Sequence, residues 1–459
     1  MSSEELSPAD RSSLVSEYGP INMAVGGLLV CASEPPLTRA LLAERLSQRI
    51  HLVPRLRQKL EEPPLGIANP VWVDDTGFDL DWHVRQASLP PPGGENELGA
   101  FVGREFSHRL DRSRPLWEAT LIEGLDGGRK AVLFKVHHAL VDGMAAIGMA
   151  ALVLDPSEEP LEIPPPESEW EPRRYDMRQH ARRLATRPLA RAPKLMIDGL
   201  VRAFDPDPRR AVGDVRRASE LVVELARTRP QAPMTPLNRP ISPNRRYAVA
   251  HTDLDLVKRV GKASGGTVND TVLAVVSGML GRYLAAAGPE AWETTSRSPV
   301  ALVPVSVRSS NDAGELGNRI STVFVDLPIA EHDLHARISA ISAQTRELKA
   351  SAAVRAGALM VGAGGWAPPL VSGLVGRAMG SIRAFNIVVS NVPGPQQPFF
   401  LSGVRMQEVY PVVPLNPANQ GLTIGILSYD GRNDRRARRA RSRRRPAVRR
   451  SCSYVTPPS

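Results

Sequence analysis

The sequence predicts an α/β protein with mixed sheets, built as two similar halves joined by a Pro-rich helical connector. Three observations carry this expectation. Strand-like and helix-like hydrophobic patterns interleave along both halves. Pro-rich passages at 156–172 and 229–246 interrupt them near the middle of the chain. The 459 residues exceed what one core organises and suit two domains of roughly 200 residues each. The boundaries read as 1–172, a connector over 173–246, a second half over 247–430, and an Arg-rich tail over 431–459.

In the first half, "MAVGGLLVCAS" (23–33) predicts a strand and "LTRALLAERLSQRI" (37–50) has the apolar spacing of a helix. "PVWVDDTGFDLDWHV" (70–84) alternates like strand and turn. "ELGAFVGREFSHRL" (97–110) predicts a helix. "WEATLIEGL" (117–125) and "AVLFKVHH" (131–138) flank the turn "DGGRK" as a hairpin. A helix over 144–155 follows. "PSEEPLEIPPPESEWEP" is too rich in Pro and Glu for a core element and reads as a linker, and a basic helical stretch runs from about 173 to 203.

The second half repeats the mixture. "YAVAHTDL" predicts a strand, "LDLVKRVGKAS" a helix, and 267–288 a helix with Thr or Asn available to cap it. Strands are predicted at 299–308, 318–329, 385–395 and 422–431, with a helix over 332–351. The run 356–376 holds no charge over 21 residues, the length of a membrane span. Gly364-Gly365 and Pro368-Pro369 in its middle favour paired buried helices instead.

Composition is that of an ordinary soluble enzyme, 42% hydrophobic and 23% charged. Two cysteines exclude a disulfide framework or a Cys-based zinc site and fit a reducing compartment. The N-terminus is polar and acidic, unlike a secretory signal. Residues 431–459 hold eleven Arg and one Asp, which accounts for the whole formal net charge of +10. The tail is either a basic arm for nucleic acid or anionic lipid, or a disordered or frameshifted end. Its scarcity of aliphatic residues and its lack of periodicity favour the second, and no nucleic-acid partner is expected.

"FKVHHALVDG" (134–143) carries the chemistry. At the end of a strand His137 and His138 point to opposite faces, so they cannot chelate one metal, and no further ligands lie at zinc spacing. No metal is expected. A histidine where the strand opens into a loop suits a general base. No Gly-x-Ser-x-Gly occurs and Cys31 lies in an apolar run, so no covalent nucleophile accompanies it. Three roles are open to Asp142: orienting the imidazole, pairing with an arginine to fix the loop, or capping the next helix. Gly143 allows close backbone or substrate approach.

His-His-x-x-x-Asp-Gly resembles the active-site motif of the CoA-dependent acyltransferase superfamily, which includes chloramphenicol-acetyltransferase-like enzymes and condensation domains. Within it, the chain is most similar to the bacterial wax ester synthase/diacylglycerol acyltransferases. "SRPLWE" (113–118), "VND" (268–270), "VPVSVR" (303–308), "GNRIS" (317–321) and "SNVPGP" (390–395) stand in family order, and the likeness covers about residues 15–430. It departs after the final "YDG", where the family continues with a strand and an amphipathic helix and this chain has the tail.

The resemblance implies two chloramphenicol-acetyltransferase-like domains forming a pseudo-dimer with a channel between them. It implies His138 as proton acceptor, His137 as its support, Asp142 as structural through an arginine (Arg308 is the candidate), Gly143 in the loop, and Asn269 as a possible oxyanion or acceptor contact. The implied reaction makes triacylglycerol from diacylglycerol, or wax esters from fatty alcohols, with acyl-CoA as co-substrate and no cofactor. The implied location is cytoplasmic, with peripheral contact at membrane or lipid droplets. Two other readings keep the fold: a condensation-like acyltransferase on another acceptor, and a lipid-binding paralogue with little turnover.

Overall fold

The computed structural model describes residues 4–6, 8–62, 70–140, 152–176, 232–288, 298–306, 320–350, 384–415 and 420–430. In chain order these hold β1 (Glu4–Glu5), α1 (Pro8–Ser16), β2 (Ala24–Cys31), α2 (Arg39–Arg49), β3 (Gln58–Glu61), β4 (Val71–Asp74), α3 (Leu80–His83), β5 (Val84–Ser88), α4 (Glu95–Glu105), β6 (Trp117–Glu123) and β7 (Lys130–His137). Then follow α5 (Leu254–Ala263), α6 (Val268–Ala286), β8 (Val300–Ser306), β9 (Ile320–Asp326), α7 (Leu334–Ala350), β10 (Ile387–Val392), β11 (Phe400–Leu401), β12 (Val404–Val412) and β13 (Thr423–Leu427).

Both halves contain mixed sheets. The larger has six strands in the order β11-β12-β2-β7-β6-β5, antiparallel except for β5 with β6. A four-stranded sheet, β13-β10-β8-β9, has parallel pairs on both sides of β10. Alternation along β2 and β7 divides the larger sheet into two apolar faces. One carries Leu29, Val132 and Val136 against α2 and Leu56, and the other carries Leu28, Leu133 and Phe101 of α4. The smaller sheet packs Ala301, Val389 and Ile424 against α6 and α7.

Two expectations change. The predicted strand beginning at Tyr247 lies outside any strand ladder. Gly99 and Gly103 of α4 let the main chain of Tyr247 and Arg245 lie directly on that helix, so the apolar alternation serves packing. The second difference is β12. It belongs by chain order to the 247–430 segment, yet it pairs with β2 from Met406↔Cys31 to Val412↔Gly26. That segment therefore contributes to both sheets.

The 356–376 run, most of the basic stretch, the 431–459 tail and most of the helix expected at 144–155 lie outside the described residues. Among the described residues no helix is long and apolar enough to cross a membrane.

Candidate active site

Strand β7 delivers the histidine pair. Its last residue, His137, pairs with Ala24, and His138 opens a short 3-10 turn. The His137 main-chain N–H donates to Leu116 O at 3.0 Å, and that of His138 to Met23 O at 2.9 Å. Both histidines are thus fixed by neighbouring strands before their side chains are considered.

The side chains meet opposite surroundings. His137 is 1% exposed. Its Nδ1 accepts from Ala139 N–H at 3.0 Å, and its Nε2 faces Glu17 Oε2 at 3.6 Å. The Nδ1 contact leaves the neutral ring's proton on Nε2, toward the carboxylate. Glu17 also accepts from Met23 N–H at 3.0 Å and from Arg112 at 3.1 Å. Burial alone would raise its carboxyl, but His137, Met23 and Arg112 together hold it at about 2. Glu17 is therefore a buried anion that braces His137 and, through Met23, the strand start that holds His138.

His138 is reached by solvent while protein surrounds most of its ring. That enclosure lowers its pKa below the ordinary histidine value, and His137 adds to the effect. A hydrogen bond to its own main chain and the carboxylate of Asp10 act in the opposite sense. The net result is a ring kept neutral at neutral pH, with one nitrogen engaged as a donor and the other left to accept a proton.

Asn269 stands in the first turn of α6. Thr267 caps that helix and shares a reciprocal box with Asp270: Asp270 N–H donates to Thr267 Oγ1, and Asp270 Oδ2 accepts from Thr267 N–H at 2.8 Å. Asp270 Oδ1 accepts from Thr345 Oγ1 of α7 at 2.8 Å. Asn269 Oδ1 accepts from Asn391 Nδ2 at 3.3 Å, joining the "VND" and "SNVPGP" stretches. The Asn269 NH2 group remains a donor.

"PLW" is structural here. Leu116 and Trp117 are fully buried, Trp117 Nε1 donates to Leu56 O at 2.8 Å, and the indole stacks on His83. Asp142, Gly143 and Arg308 lie outside the described residues. Sequence reading missed Glu17, which belongs to no motif, and took Asp270 only as part of "VND", although its position three residues after Thr267 is a capping-box signal. It also missed Lys135, which points from β7 to the end of α4 and donates to Glu105 O and His108 O at 2.7 Å each. Among the described residues no group of three or more His, Cys, Asp or Glu is placed to hold a metal ion.

The arrangement provides a neutral, solvent-accessible imidazole on a rigid strand end, suited to moving one proton to and from a substrate. Known proteins share the chain's sequence and fold. The wax ester synthase/diacylglycerol acyltransferase catalytic domain matches residues 6–272, and the WS/DGAT C-terminal domain matches residues 316–434. A Mycobacterium tuberculosis protein that carries diacylglycerol O-acyltransferase as a provisional name is 32% identical over 437 residues, covering 93% of this chain and 92% of its own. The O-acyltransferase WSD of Acinetobacter baylyi is 31% identical over 392 residues, covering 82% of this chain and 80% of its own. The solved wax ester synthase/diacylglycerol acyltransferase of Marinobacter aquaeolei VT8 superposes with a TM-score of 0.66 at 26% identity, covering 98% of this chain and 93% of that one. The starter condensation domain of rhizomide synthetase, solved with C8-CoA and Leu-SNAC, superposes at 0.54 with 12% identity over 99% and 89% of the two chains, a likeness of fold alone.

Proposed function

Because the chain belongs to the wax ester synthase/diacylglycerol acyltransferase family, we propose that it transfers an acyl group from acyl-CoA to the hydroxyl of diacylglycerol or a long-chain alcohol, with His138 as the general base. The carrying observation is the contrast within the histidine pair. His137 is buried and committed to Ala139 and Glu17, whereas His138 is accessible and held neutral by its surroundings.

The reaction follows from that state. A ring nitrogen of His138 accepts the hydroxyl proton as the oxygen bonds to the thioester carbonyl carbon. The carbon–sulfur bond then breaks, and the same proton passes to the departing CoA sulfur, returning a neutral imidazole. No acyl-enzyme forms, and the main chain of His138 stays anchored to Met23 throughout. Asn269 supplies an amide donor for the transient oxyanion, held in register by Asn391. Substrates of this class partition into lipid, so the reading carries peripheral contact with a lipid surface with it.

The test is transfer from labelled palmitoyl- or oleoyl-CoA to diacylglycerol and to hexadecanol. Product is expected with at least one acceptor. His138→Ala is expected to lower transfer about a hundredfold or more, the range of a general base, and His137→Ala to cost less. Equal, complete loss in two folded variants would reject this division of roles.

A further inference from the structure

Strands β2 and β7 run antiparallel, and their pairing ends at Ala24↔His137. In such a ladder, pairs that exchange two main-chain hydrogen bonds alternate with pairs whose N–H and C=O groups point outward. Ala24↔His137 is of the outward kind: the His137 N–H leaves β2 and donates to Leu116 O, just before β6, at 3.0 Å. Met23 and His138 stand where the next exchanging pair belongs. Only half of that exchange is made. The His138 N–H donates to Met23 O at 2.9 Å, while the Met23 N–H donates to Glu17 Oε1 at 3.0 Å. His138 instead opens its 3-10 turn.

The outward N–H of Ala24 also goes to a side chain. On that edge β12 accompanies β2 only as far as Gly26↔Val412. Beyond it, Asn22 Oδ1 accepts from Ala24 N–H at 2.9 Å. The Asn22 carboxamide is buried and donates to Phe106 O at 3.0 Å and to His108 O at 2.8 Å, just past the end of α4. Lys135 of β7 donates to the same His108 O at 2.7 Å, so residue 22 is tied to α4 and β7 together. Glu17 is held from its other side by Arg112 at 3.1 Å. Both N–H groups at the start of β2 thus go to buried side chains that are themselves fixed.

The broken rung bears on the His138 ring. That ring hydrogen-bonds its own main chain, and the bond favours the protonated imidazole, so the main-chain partner is the carbonyl. Of the two ring nitrogens, Nδ1 is the one that reaches it. A completed exchange would commit the same carbonyl to Met23 N–H and hold His138 in the strand. We propose that Glu17 and Asn22 are positioning residues for acyl transfer: by taking the Met23 and Ala24 N–H groups they end the ladder one bond early and keep the His138 carbonyl as the acceptor of its own ring N–H. Nε2 is then the one nitrogen that receives the hydroxyl proton. Both residues act through the main chain of β2 and not on substrate. The proposal rests on the acyl-transfer reading.

Nitrogen NMR of histidine-labelled protein at about pH 8, where the ring is neutral, reads the tautomer of His138 without substrate. Its signals are those missing from His138→Ala. Wild type is expected to show one tautomer, protonated on Nδ1, and a mixture there overturns the proposal at once. Glu17→Ala and Asn22→Ala, with folding confirmed by thermal unfolding, are expected to populate both tautomers. With palmitoyl-CoA and hexadecanol their kcat is expected to fall about tenfold or more, part of what a general base contributes. KM is expected to stay within about twofold, the pattern of an interaction made only in the transition state. Asn22→Ser keeps a weaker acceptor for Ala24 N–H. It is expected to fall between wild type and Asn22→Ala, and it serves if neither alanine variant folds. Folded variants that keep the wild-type tautomer overturn the proposal even if kcat falls, since the loss is then structural only. Mixed tautomers with unchanged kcat overturn it as well. If wild type turns over neither alcohol nor diacylglycerol while the variants still mix tautomers, the acyl-transfer reading fails and the placement of the ring stands.

Discussion

His137 and His138 are adjacent in sequence, but the fold assigns them different protonation tasks. One ring is sandwiched between a backbone donor and a buried carboxylate, and the other is open to substrate. The working form of His138 is the neutral imidazole. Its pKa lies below the ordinary 6.5, so the neutral form persists to lower pH than in a free histidine. The acid limb of the kcat/KM–pH profile is therefore expected to be centred below pH 6.5. A limb centred above that value would show that a different group, or a charged His138, limits the reaction. Strand alternation alone made this division legible in the sequence, since it separates neighbours at a strand end. Glu17 was not legible. It lies 120 positions before His137 and reaches it only because the chain turns after α1 to enter β2.

At the scale of an element, the start of α6 shows how a motif can be mostly architecture. In "VND" the aspartate is 1% exposed and fully occupied: Oδ2 closes the capping box with Thr267, and Oδ1 accepts from Thr345 of α7. Only Asn269 is left to face outward to Asn391. Asp270→Ala removes the box and leaves the Thr345 hydroxyl only its longer contact, 3.3 Å, with Ser342 O. An expected loss of about 2 kcal/mol follows from a strong N-cap and a buried hydrogen bond, measured by urea unfolding. A loss under about 0.5 kcal/mol, the range of a neutral surface change, would mean that the aspartate is not structural. Thr267 was readable as a cap because capping chemistry is local, and the hairpin β6–β7 was readable from its glycine turn. The hairpin of β11 and β12 was passed over, although "VRMQEVYPV" alternates and Ser402-Gly403 supply a turn. Its partner β2 lies more than 370 residues earlier, and local pattern carries no information about such a partner.

Over the whole molecule, β12 interlocks the two halves, and one carboxylate fixes where it starts. Asp155 follows the segment after the histidine loop and is fully buried. It accepts from Arg45 and Arg49 of α2, each at 2.6 Å, and from Leu161 N–H at 3.0 Å. Its main chain exchanges hydrogen bonds of 2.7 and 2.9 Å with Phe400, the first residue of β11. Helix α2, the stretch after the histidine loop and the incoming C-terminal hairpin thus converge on a single residue. Asp155→Asn keeps the shape and removes the negative charge that both buried guanidinium groups contact. Breaking a buried pair in this way costs about 3–5 kcal/mol, so the urea midpoint is expected to fall sharply. Asp155 contacts α2, Leu161 and Phe400, whereas the histidine pair is held by Met23, Leu116, Ala139 and Glu17, so the acyl-transfer preference of the protein that remains folded is expected to match wild type. An Asp155→Asn variant as stable as wild type would show that the arginines find compensation elsewhere. Loss of stability with unchanged preference would place the joint of the two halves and the chemistry in separate parts of one sheet.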